Sequence, residues 1–246
     1  MNLLELNDLT VRYGGVTAVD GITASVSEGS LFGLIGPNGA GKTTMIDAIT
    51  GMVRYTGTVV FDKQDLTGWQ PHRRSHAGLV RTFQSLELFN ELTVRENLET
   101  YAGIKHGNEA EAAVDKALEL MSVTWAADLH PPELSHGQAR LVSVARALAA
   151  KPRLLLLDEP AAGLDAQESQ WLGQRLRAVV DQKVVTVILV DHDVDLIMNI
   201  CDEILVLDFG KEIGLGSPAE VRANPRVAKA YLGTDGSIDS DAEVVS

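Results

Sequence analysis

Cysteine is almost absent from this chain of 246 residues, which contains only Cys201. A single cysteine excludes an intrachain disulfide, and a reducing compartment fits this composition best. Because no basic neighbour marks Cys201 as an activated nucleophile, we expect it to pack as a small apolar side chain.

Runs of basic residues are also missing. The formal net charge is −13 at pH 7, and no long Lys/Arg run occurs. Binding to nucleic-acid phosphates normally needs a basic face, so DNA and RNA are not expected as partners. The same acidic balance argues against docking onto anionic lipid by charge alone.

Long apolar runs are missing as well. The longest ones, around 154–157 and 184–190, are too short to span a bilayer and are typical of buried parallel strands. The first residues lack a basic segment followed by an apolar core, so a secretion signal is not expected. Any role at a membrane would therefore go through a protein partner.

The most informative segment that is present is rich in glycine and follows the strand-like run 31–35. Its residues are Gly36, Pro37, Asn38, Gly39, Ala40, Gly41, Lys42 and Thr43. Glycines let the backbone turn tightly beside a polyphosphate, and N–H groups at the start of the next helix form an anion nest. Lys42 would reach the β- and γ-phosphates, and the Thr43 hydroxyl would bind Mg²⁺. The segment, together with Thr44, is predicted to bind ATP.

Two acids, Asp158 and Glu159, follow the apolar run 154–157. A carboxylate at the carboxyl end of a strand, beside a phosphate loop, suits indirect coordination of Mg²⁺, and Asp158 is assigned that role. Glu159 would face the γ-phosphate and orient or deprotonate the attacking water. Taken alone, the pair could equally be two solvated acids at a strand end.

A second phosphate-binding feature occurs at 134–138. Ser135 and Gly137 offer a hydroxyl and free backbone N–H groups at the N-terminus of a predicted helix. One domain has little use for two such sites on a single ATP, whereas two chains arranged head to tail could each close on the other's nucleotide. The pentapeptide alone could equally be a plain helix cap.

The order of predicted elements indicates an α/β protein. Apolar alternation predicts half-exposed strands over 3–13, 16–26 and 58–61, and a short strand over 79–83. Helical spacing then dominates 93–104, 109–121 and 138–149, and strands and helices alternate from 153 to 207, as in a parallel sheet with crossover helices. Two short helices are expected to begin at 217–218 and at Pro225.

Together these residues resemble the ATP-binding subunits of ATP-binding-cassette (ABC) transporters over 3–233. The matching motifs are the Walker A loop (36–43), the Q-loop glutamine Gln84, the signature motif (134–138), the Walker B strand with its catalytic glutamate (154–159), the D-loop (162–165), the switch histidine His192 and the adenine-stacking Tyr13. One departure is His136, which stands where the common signature has Gly.

The resemblance implies a fold and a set of roles. The fold is a P-loop NTPase core, a RecA-like mixed sheet with helices, with an antiparallel β subdomain and an inserted α-helical subdomain. Gln84 would contact Mg²⁺ and the attacking water, and His192 would contact the γ-phosphate. The nucleotide of one chain would also be contacted by four residues of the other: Ser135, Gly137, Gln138 and Asp165.

The expected domain organisation follows from these motifs. Residues 1–85 and 151–233 would form the ATP-binding core with its β subdomain, and 86–150 the helical signature subdomain. Residues 234–246 are acidic with few apolar groups, so this tail is expected to be disordered.

A closer resemblance is to the branched-chain amino-acid importers. It rests on four segments: 81–84, 88–94, 159–164 and 230–233. Importers of urea or other amides share much of this pattern. The resemblance implies ATP with Mg²⁺, a dimer with itself or with a similar subunit, integral membrane permease subunits and, indirectly, an extracytoplasmic solute-binding protein. The chain would then lie at the cytoplasmic face of the membrane.

Three rival classes stay open at this point. A non-transport ABC ATPase of DNA repair or translation usually carries a long coiled-coil insertion or two cassettes, and neither is present. A binding module without turnover would be expected to lack the glutamate or the histidine, yet Glu159 and His192 are present. A small-molecule P-loop kinase would not need the 134–138 motif.

Overall fold

The computed structural model describes residues 1–102 and 108–232. The strands are β1 (Asn2–Tyr13), β2 (Val16–Ser27), β3 (Leu31–Ile35), β4 (Thr56–Phe61), β5 (Gln64–Asp65), β6 (Leu79–Arg81), β7 (Leu154–Asp158), β8 (Thr186–Val190), β9 (Glu203–Asp208) and β10 (Lys211–Gly216). The α-helices are α1 (Lys42–Thr50), α2 (Pro71–His76), α3 (Val94–Ala102), α4 (Asn108–Leu120), α5 (His136–Ala149), α6 (Ala166–Asp181), α7 (Val194–Ile200), α8 (Pro218–Ala223) and α9 (Pro225–Leu232).

These strands form two sheets. β2, β1, β4 and β5 make an antiparallel sheet in that order, and the order in the second sheet is β10-β9-β3-β8-β7-β6. The second sheet is parallel from β9 to β6, with β10 added antiparallel at one edge. The predicted combination of a mixed main sheet with a separate antiparallel layer is therefore confirmed.

The main sheet is buried on both faces. Along β7, Leu155 and Leu157 pack into one apolar cluster with helices α3–α7, while Leu154 and Leu156 pack into another with α1 and the antiparallel sheet. Successive side chains of a strand point to opposite faces, so an unbroken apolar run is what a strand covered on both sides requires. This explains why the runs at 154–157 and 184–190 belong to strands rather than to membrane spans.

Helices α3, α4 and α5 pack against one another, and their apolar faces share the cluster under the main sheet. They occupy the stretch expected to form a helical subdomain. Ser135 is the N-cap of α5, as predicted, and its hydroxyl accepts a hydrogen bond from the N–H of Gln138. The end of the helix predicted over 93–104 and the tail 234–246 lie outside the described residues.

Several elements differ from the prediction. The sequence analysis did not assign β5, β10 or α2, and β6 ends at Arg81 rather than at 83. β10 contains Gly214 and Gly216, which weaken a strand pattern, and it is held as the partner of β9 across a tight turn at Phe209 and Gly210. Tertiary pairing rather than local propensity thus decides this element.

Parallel pairing brings the functional segments to one edge. Asp158 at the end of β7 is in register with Val190 at the end of β8, and Leu34 of β3 is in register with the same Val190. The loops that follow β3, β7 and β8 therefore lie side by side at the carboxyl end of the sheet, where open α/β sheets bind ligands.

Candidate functional site

The glycine-rich loop between β3 and α1 is shaped by close backbone contacts. A Cβ at Gly36 would lie 2.3 Å from the carbonyl oxygen of Leu207, and one at Gly41 would lie 2.4 Å from that of Ala18. Gly41 also has φ of 103°, a left-handed conformation that favours glycine. Glycine is therefore required at positions 36 and 41 by the path of this backbone.

Lys42 closes the loop on itself. Its Nζ donates to the carbonyl oxygens of Gly36 at 2.6 Å and Pro37 at 3.1 Å, and the residue is only 7% exposed. Burial lowers the pKa of Lys42 from its ordinary value. Three nearby carboxylates oppose that shift by their charge: Glu159, Asp158 and Asp191. The ammonium group thus stands between the loop and the acids of the neighbouring strands.

The N-terminus of α1 fits a phosphate. Its N-cap is Gly41, no acid lies in the first turn, and no side chain among the described residues caps it. By contrast, α5, α6, α7 and α8 all have a side chain that accepts from a first-turn N–H. Free N–H groups and the helix dipole make such an end a site for an anion. Thr43 is exposed in this turn, where its hydroxyl is available to a metal ion bound with the phosphates.

The antiparallel sheet reaches the same loop. The close approach of Ala18 in β2 to Gly41 joins the sheet to the start of α1. Tyr13 is the last residue of β1 and pairs with Val16 across the β1–β2 turn. It is 50% exposed. An accessible aromatic ring on the strand pair that contacts the phosphate loop suits stacking on a base.

The acid predicted to serve Mg²⁺ is Asp158, and it is buried at the end of β7. Its Oδ2 accepts from Nη2 of Arg81 at 2.8 Å. Within the described residues, no cluster of three His, Cys, Asp or Glu could by itself hold a metal ion. A hydroxyl from Thr43 and one carboxylate fit Mg²⁺ instead, because this ion usually keeps waters and phosphate oxygens as its other ligands.

Glu159 lies directly beyond Asp158 and contacts Gln84. Nε2 of Gln84 donates to Oε2 of Glu159 at 2.9 Å, across 75 residues of sequence. The backbone of Glu159 has φ of 49° and its N–H donates to the carbonyl of Val190, so the residue turns sharply away from the strand. Two residues predicted to act on the attacking water are thereby brought together.

His192 follows β8 and is anchored by its neighbour. Asp191 is 1% exposed and accepts from the N–H groups of Ala161 and Asp193, both at 3.0 Å. Nδ1 of His192 lies 3.5 Å from the same carboxylate, and the rest of the ring is exposed. No motif predicts a role for Asp191, although its place at the end of a buried strand is a usable signal.

The signature segment forms the N-cap and first turn of α5, and the side chains of Ser135 and Gln138 bond to the backbone of that same turn. Ser135 and Gln138 form a reciprocal capping box, and Ser135 and His136 are exposed while Gly137 is buried. In the part of the chain that the structure describes, no hydrogen bond joins 135–138 to the phosphate loop. The two phosphate-binding features therefore do not meet through hydrogen bonds within one chain.

The D-loop acid is also a cap. Asp165 precedes α6 and accepts from the N–H of Glu168 at 2.8 Å. The oxygens of Glu168 would lie 2.4 Å and 3.2 Å from a Cβ placed on Gly137. The imidazole Nε2 of His136 is 3.3 Å from the carbonyl oxygen of Ala162. His136, unassigned in the sequence analysis, therefore contacts the segment between Glu159 and Asp165.

Arginines that the sequence analysis did not single out hold this site. Arg140 of α5 donates to the carbonyls of Gln84 at 2.6 Å and Ala162 at 3.2 Å. Arg146, six residues further along α5, donates to the carbonyls of Glu87 and Leu86. The only signal in the sequence was a charged residue on the apolar face of a helix, which does not name its partner.

Among residues 1–102 and 108–232, no helix combines the length and the apolar character needed to cross a bilayer.

Comparison with known proteins agrees with this geometry. A family profile described as "ABC transporter" matches residues 19–162, and one described as "Branched-chain amino acid ATP-binding cassette transporter" matches residues 213–237. The high-affinity branched-chain amino acid transport ATP-binding protein BraF of Pseudomonas aeruginosa is 37% identical over 249 aligned residues, covering 94% of this chain and 98% of that protein.

Solved structures give the same result. The ADP conformation of MJ1267, an ATP-binding cassette of an ABC transporter, superposes with a TM-score of 0.86 at 30% identity, covering 95% of this chain and 99% of that one. MJ0796, a bacterial ABC transporter cassette solved as a dimer, superposes with a TM-score of 0.77 at 25% identity, covering 87% and 98%.

This chain belongs to the family of ABC transporter ATP-binding subunits. The predicted fold class, family and type of enzyme, an ABC-type ATP hydrolase, are thereby confirmed. Family membership supports ATP as the bound nucleotide. The roles of individual residues stay predictions.

Proposed function

We propose that this chain hydrolyses ATP to power an importer of branched-chain amino acids. The observation that carries the hydrolysis part of the proposal is the contact between Gln84 and Glu159 at the edge of the sheet that also presents Lys42, and the cargo rests on the branched-chain relatives. A phosphate loop alone indicates a nucleotide site, whereas a carboxylate and an amide held together beside it provide for an attacking water.

The proposed binding mode uses the geometry of the loop. ATP lies with its adenine against Tyr13 and its phosphates on the loop 36–44, which donates through the backbone N–H groups of every residue except Pro37. Lys42, already beside Glu159 and Asp158, exchanges the carbonyls of its own loop for the β- and γ-phosphates. Mg²⁺, when bound with ATP, neutralises phosphate charge, and Thr43, Asp158 and Gln84 would hold it.

Hydrolysis then depends on positioning and charge. Glu159 orients the attacking water and accepts its proton, Gln84 fixes the direction of the Glu159 carboxylate, and His192 donates to the γ-phosphate oxygens. Asp191 holds His192 and the loop after Glu159 in one arrangement. Preorganised groups of this kind supply most of the catalysis in phosphoryl transfer, because little covalent chemistry falls to the protein.

A second ATP-binding subunit completes the site. Ser135, Gly137 and Gln138 of the partner close over the γ-phosphate, with Asp165 beside them, in a head-to-tail dimer. This arrangement accounts for two phosphate-binding features that do not hydrogen-bond to each other within one chain. The dimeric state of MJ0796 supports the assembly.

The chain is proposed to divide into a core of 1–85 and 151–233, a helical signature subdomain of 86–150 and an acidic tail of 234–246.

Integral membrane permease subunits receive the ATP-driven motion, and an extracytoplasmic solute-binding protein delivers the cargo to them. The chain would then be peripheral at the cytoplasmic face of the membrane. The match of residues 213–237 to the branched-chain profile supports the choice of substrate.

Co-purification tests the transport part of this proposal. The full chain, expressed in its own host with an affinity tag, is extracted in mild detergent and captured. We expect an integral membrane protein in stoichiometric amount, retained when nucleotide is removed. Capture of ribosomes, DNA or no partner would instead favour a non-transport ABC ATPase.

A further inference from the structure

Arg81 bridges two carboxylates beside the proposed nucleotide site. It is the last residue of β6, and its side chain is 8% exposed. Nη2 donates to Oδ2 of Asp158 at 2.8 Å, and Nη1 pairs with Oδ1 of Asp47. The three residues come from β6, β7 and α1, so the bridge joins the phosphate-loop helix to the strand that carries the acids.

The two carboxylates that Arg81 bridges lie on the elements that carry the proposed Mg²⁺ ligands. Asp47 lies on α1 one helical turn after Thr43, and Asp158 ends β7. Thr43 and Asp158 are the two side chains, besides Gln84, proposed to hold Mg²⁺ with ATP. Each therefore belongs to an element that Arg81 ties directly to the other.

The guanidinium group suits this task. It is planar and presents its donors in fixed directions, whereas a lysine ammonium is a point charge on a flexible stem. Arg81 holds Oδ2 of Asp158 and leaves Oδ1 outside its own hydrogen bonds. A carboxylate held through one oxygen has a defined orientation for the other, which is how outer groups direct the ligands of a metal.

We propose that Arg81 is a positioning residue for the Mg²⁺ that accompanies ATP, acting by orienting Asp158 against α1. This inference rests on the proposed function, because it needs a nucleotide with Mg²⁺ in the site. Arg81 itself contacts neither nucleotide nor metal. Its effect is confined to the part of nucleotide affinity that depends on the metal.

The bridge could also serve stability alone, because removing one partner of a buried ion pair leaves an uncompensated charge and destabilises the fold. The two roles differ in what they change. A purely structural arginine affects folding, and through it nucleotide binding with and without metal alike. A positioning arginine affects the gain in affinity that Mg²⁺ provides and leaves binding in EDTA unchanged.

The test is calorimetric titration of the full chain with ADP, once in EDTA and once in saturating MgCl₂. Arg81→Lys keeps the positive charge but loses the planar guanidinium group, and Arg81→Met removes both. Asp47→Asn removes the charge that pairs with Nη1 and leaves the bond from Nη2 to Asp158. We expect the Mg²⁺-dependent gain in affinity to fall roughly 10- to 100-fold in both Arg81 variants, as for other groups that orient metal ligands. Asp47→Asn should lower it less, in the same direction.

Arg153 provides a control that shares the two-carboxylate bridge but is more exposed, at 41% against 8% for the side chain of Arg81. It also bridges two carboxylates, Glu28 at 2.9 Å and Asp62, but it lies just before β7, at the opposite end of that strand from Asp158. Arg153→Lys should leave the gain from Mg²⁺ unchanged. If Arg153→Lys lowered the gain as much as Arg81→Lys does, the effect would be general and the inference wrong.

Each remaining outcome decides the matter. Equal gains in the parent chain and in Arg81→Lys and Asp47→Asn would overturn the inference while leaving the proposed function intact. Loss of affinity in EDTA equal to that in MgCl₂ would make Arg81 structural only. If both Arg81 variants fail to fold, Asp47→Asn decides alone, and an unchanged gain overturns the inference. No ADP binding by the parent chain would instead contradict the proposed function.

Discussion

The amide of Gln84 and the carboxylate of Glu159 are joined by a hydrogen bond of 2.9 Å across 75 residues of sequence. Gln84 follows the short edge strand β6, and Glu159 follows β7, so the bond spans two neighbouring loops at the carboxyl edge of the main sheet. Any change in the path of either loop alters the orientation of the group proposed to act on water.

Glu159→Gln tests the general base. The variant should bind ATP with the affinity of the parent chain, because the amide keeps the size and a polar oxygen. Its hydrolysis should slow by about 10²- to 10⁴-fold, the usual contribution of a positioned base. Phosphate release measured beside nucleotide binding checks both parts. Glu111→Gln, the same change on exposed α4, is the control, and normal turnover in Glu159→Gln would exclude this residue as the base.

Lys42→Ala tests the phosphate loop. The ammonium group now donates to Gly36 and Pro37, and it is expected to move to the phosphates when ATP enters. Loss of one charged hydrogen-bond donor should weaken ATP binding roughly 10- to 100-fold. Fluorescence titration with ATP measures it, with the exposed Lys116→Ala as a control that should bind normally. Full affinity in Lys42→Ala would contradict the assignment.

Ser135→Arg tests the head-to-tail dimer. The monomer should still bind ATP, while ATP-driven dimers should disappear because the arginine fills the space for the partner's γ-phosphate. Loss of the helix cap also costs about 1 kcal/mol of stability. Ser217→Arg controls for that cost, since Ser217 caps α8 with the same reciprocal hydrogen bonds. Light scattering in the Glu159→Gln background reads the dimer, and its persistence in Ser135→Arg would exclude the arrangement.

Arg140→Lys tests how the helical layer supports the site. Arg140 fixes the backbone of Gln84 and of Ala162, which both hydrogen-bond to Glu159. A lysine lacks the rigid fork that holds both carbonyls in place, so kcat should fall by about 10- to 100-fold, as for other small misplacements in active sites, with ATP affinity little changed. Arg175→Lys, a change of the same kind at the contact with Ser122, should leave kcat unchanged. Equal kcat values in the two variants would contradict this role for Arg140.

Cys201 should be unreactive in the folded chain. It is buried, and burial, followed by the charge of Asp202, raises the pKa of its thiol above the ordinary 9.0. Because only the thiolate is nucleophilic, iodoacetamide at mildly alkaline pH should label the unfolded chain and spare the native one. The raised pKa also means that this group's contribution to stability is lost as pH rises above 9.0. Rapid labelling of native protein, read by mass spectrometry, would contradict its burial.

Much of this site could be predicted because its parts follow strands. A parallel sheet brings the ends of β3, β7 and β8 together, and the loop at 36–43 and Asp158 are each readable from a local pattern, whereas His192 is assigned only through the resemblance to ABC ATP-binding subunits. Glycine occurs at 36 and 41 because any side chain there would collide with a backbone carbonyl.

The supporting contacts could not be predicted, because they join distant parts of the chain. Arg81 and Asp158 are 77 residues apart, and Arg140 and Gln84 are 56 apart. Which of many acids or carbonyls a buried arginine meets depends on how helices pack on the sheet, and no local pattern encodes that choice. The same holds for β10, which exists as a strand through its pairing with β9.

The most direct test of the whole account is uptake of labelled leucine, isoleucine, valine and urea by host cells in which Glu159→Gln replaces the native subunit, with Glu111→Gln cells as the control. The account predicts loss of uptake for the three branched-chain amino acids, unchanged urea uptake, and normal uptake of all four in the control. Unchanged leucine, isoleucine and valine uptake, with ATP hydrolysis confirmed in the purified parent chain, would contradict the proposed cargo, and selective loss of urea uptake would name a different one.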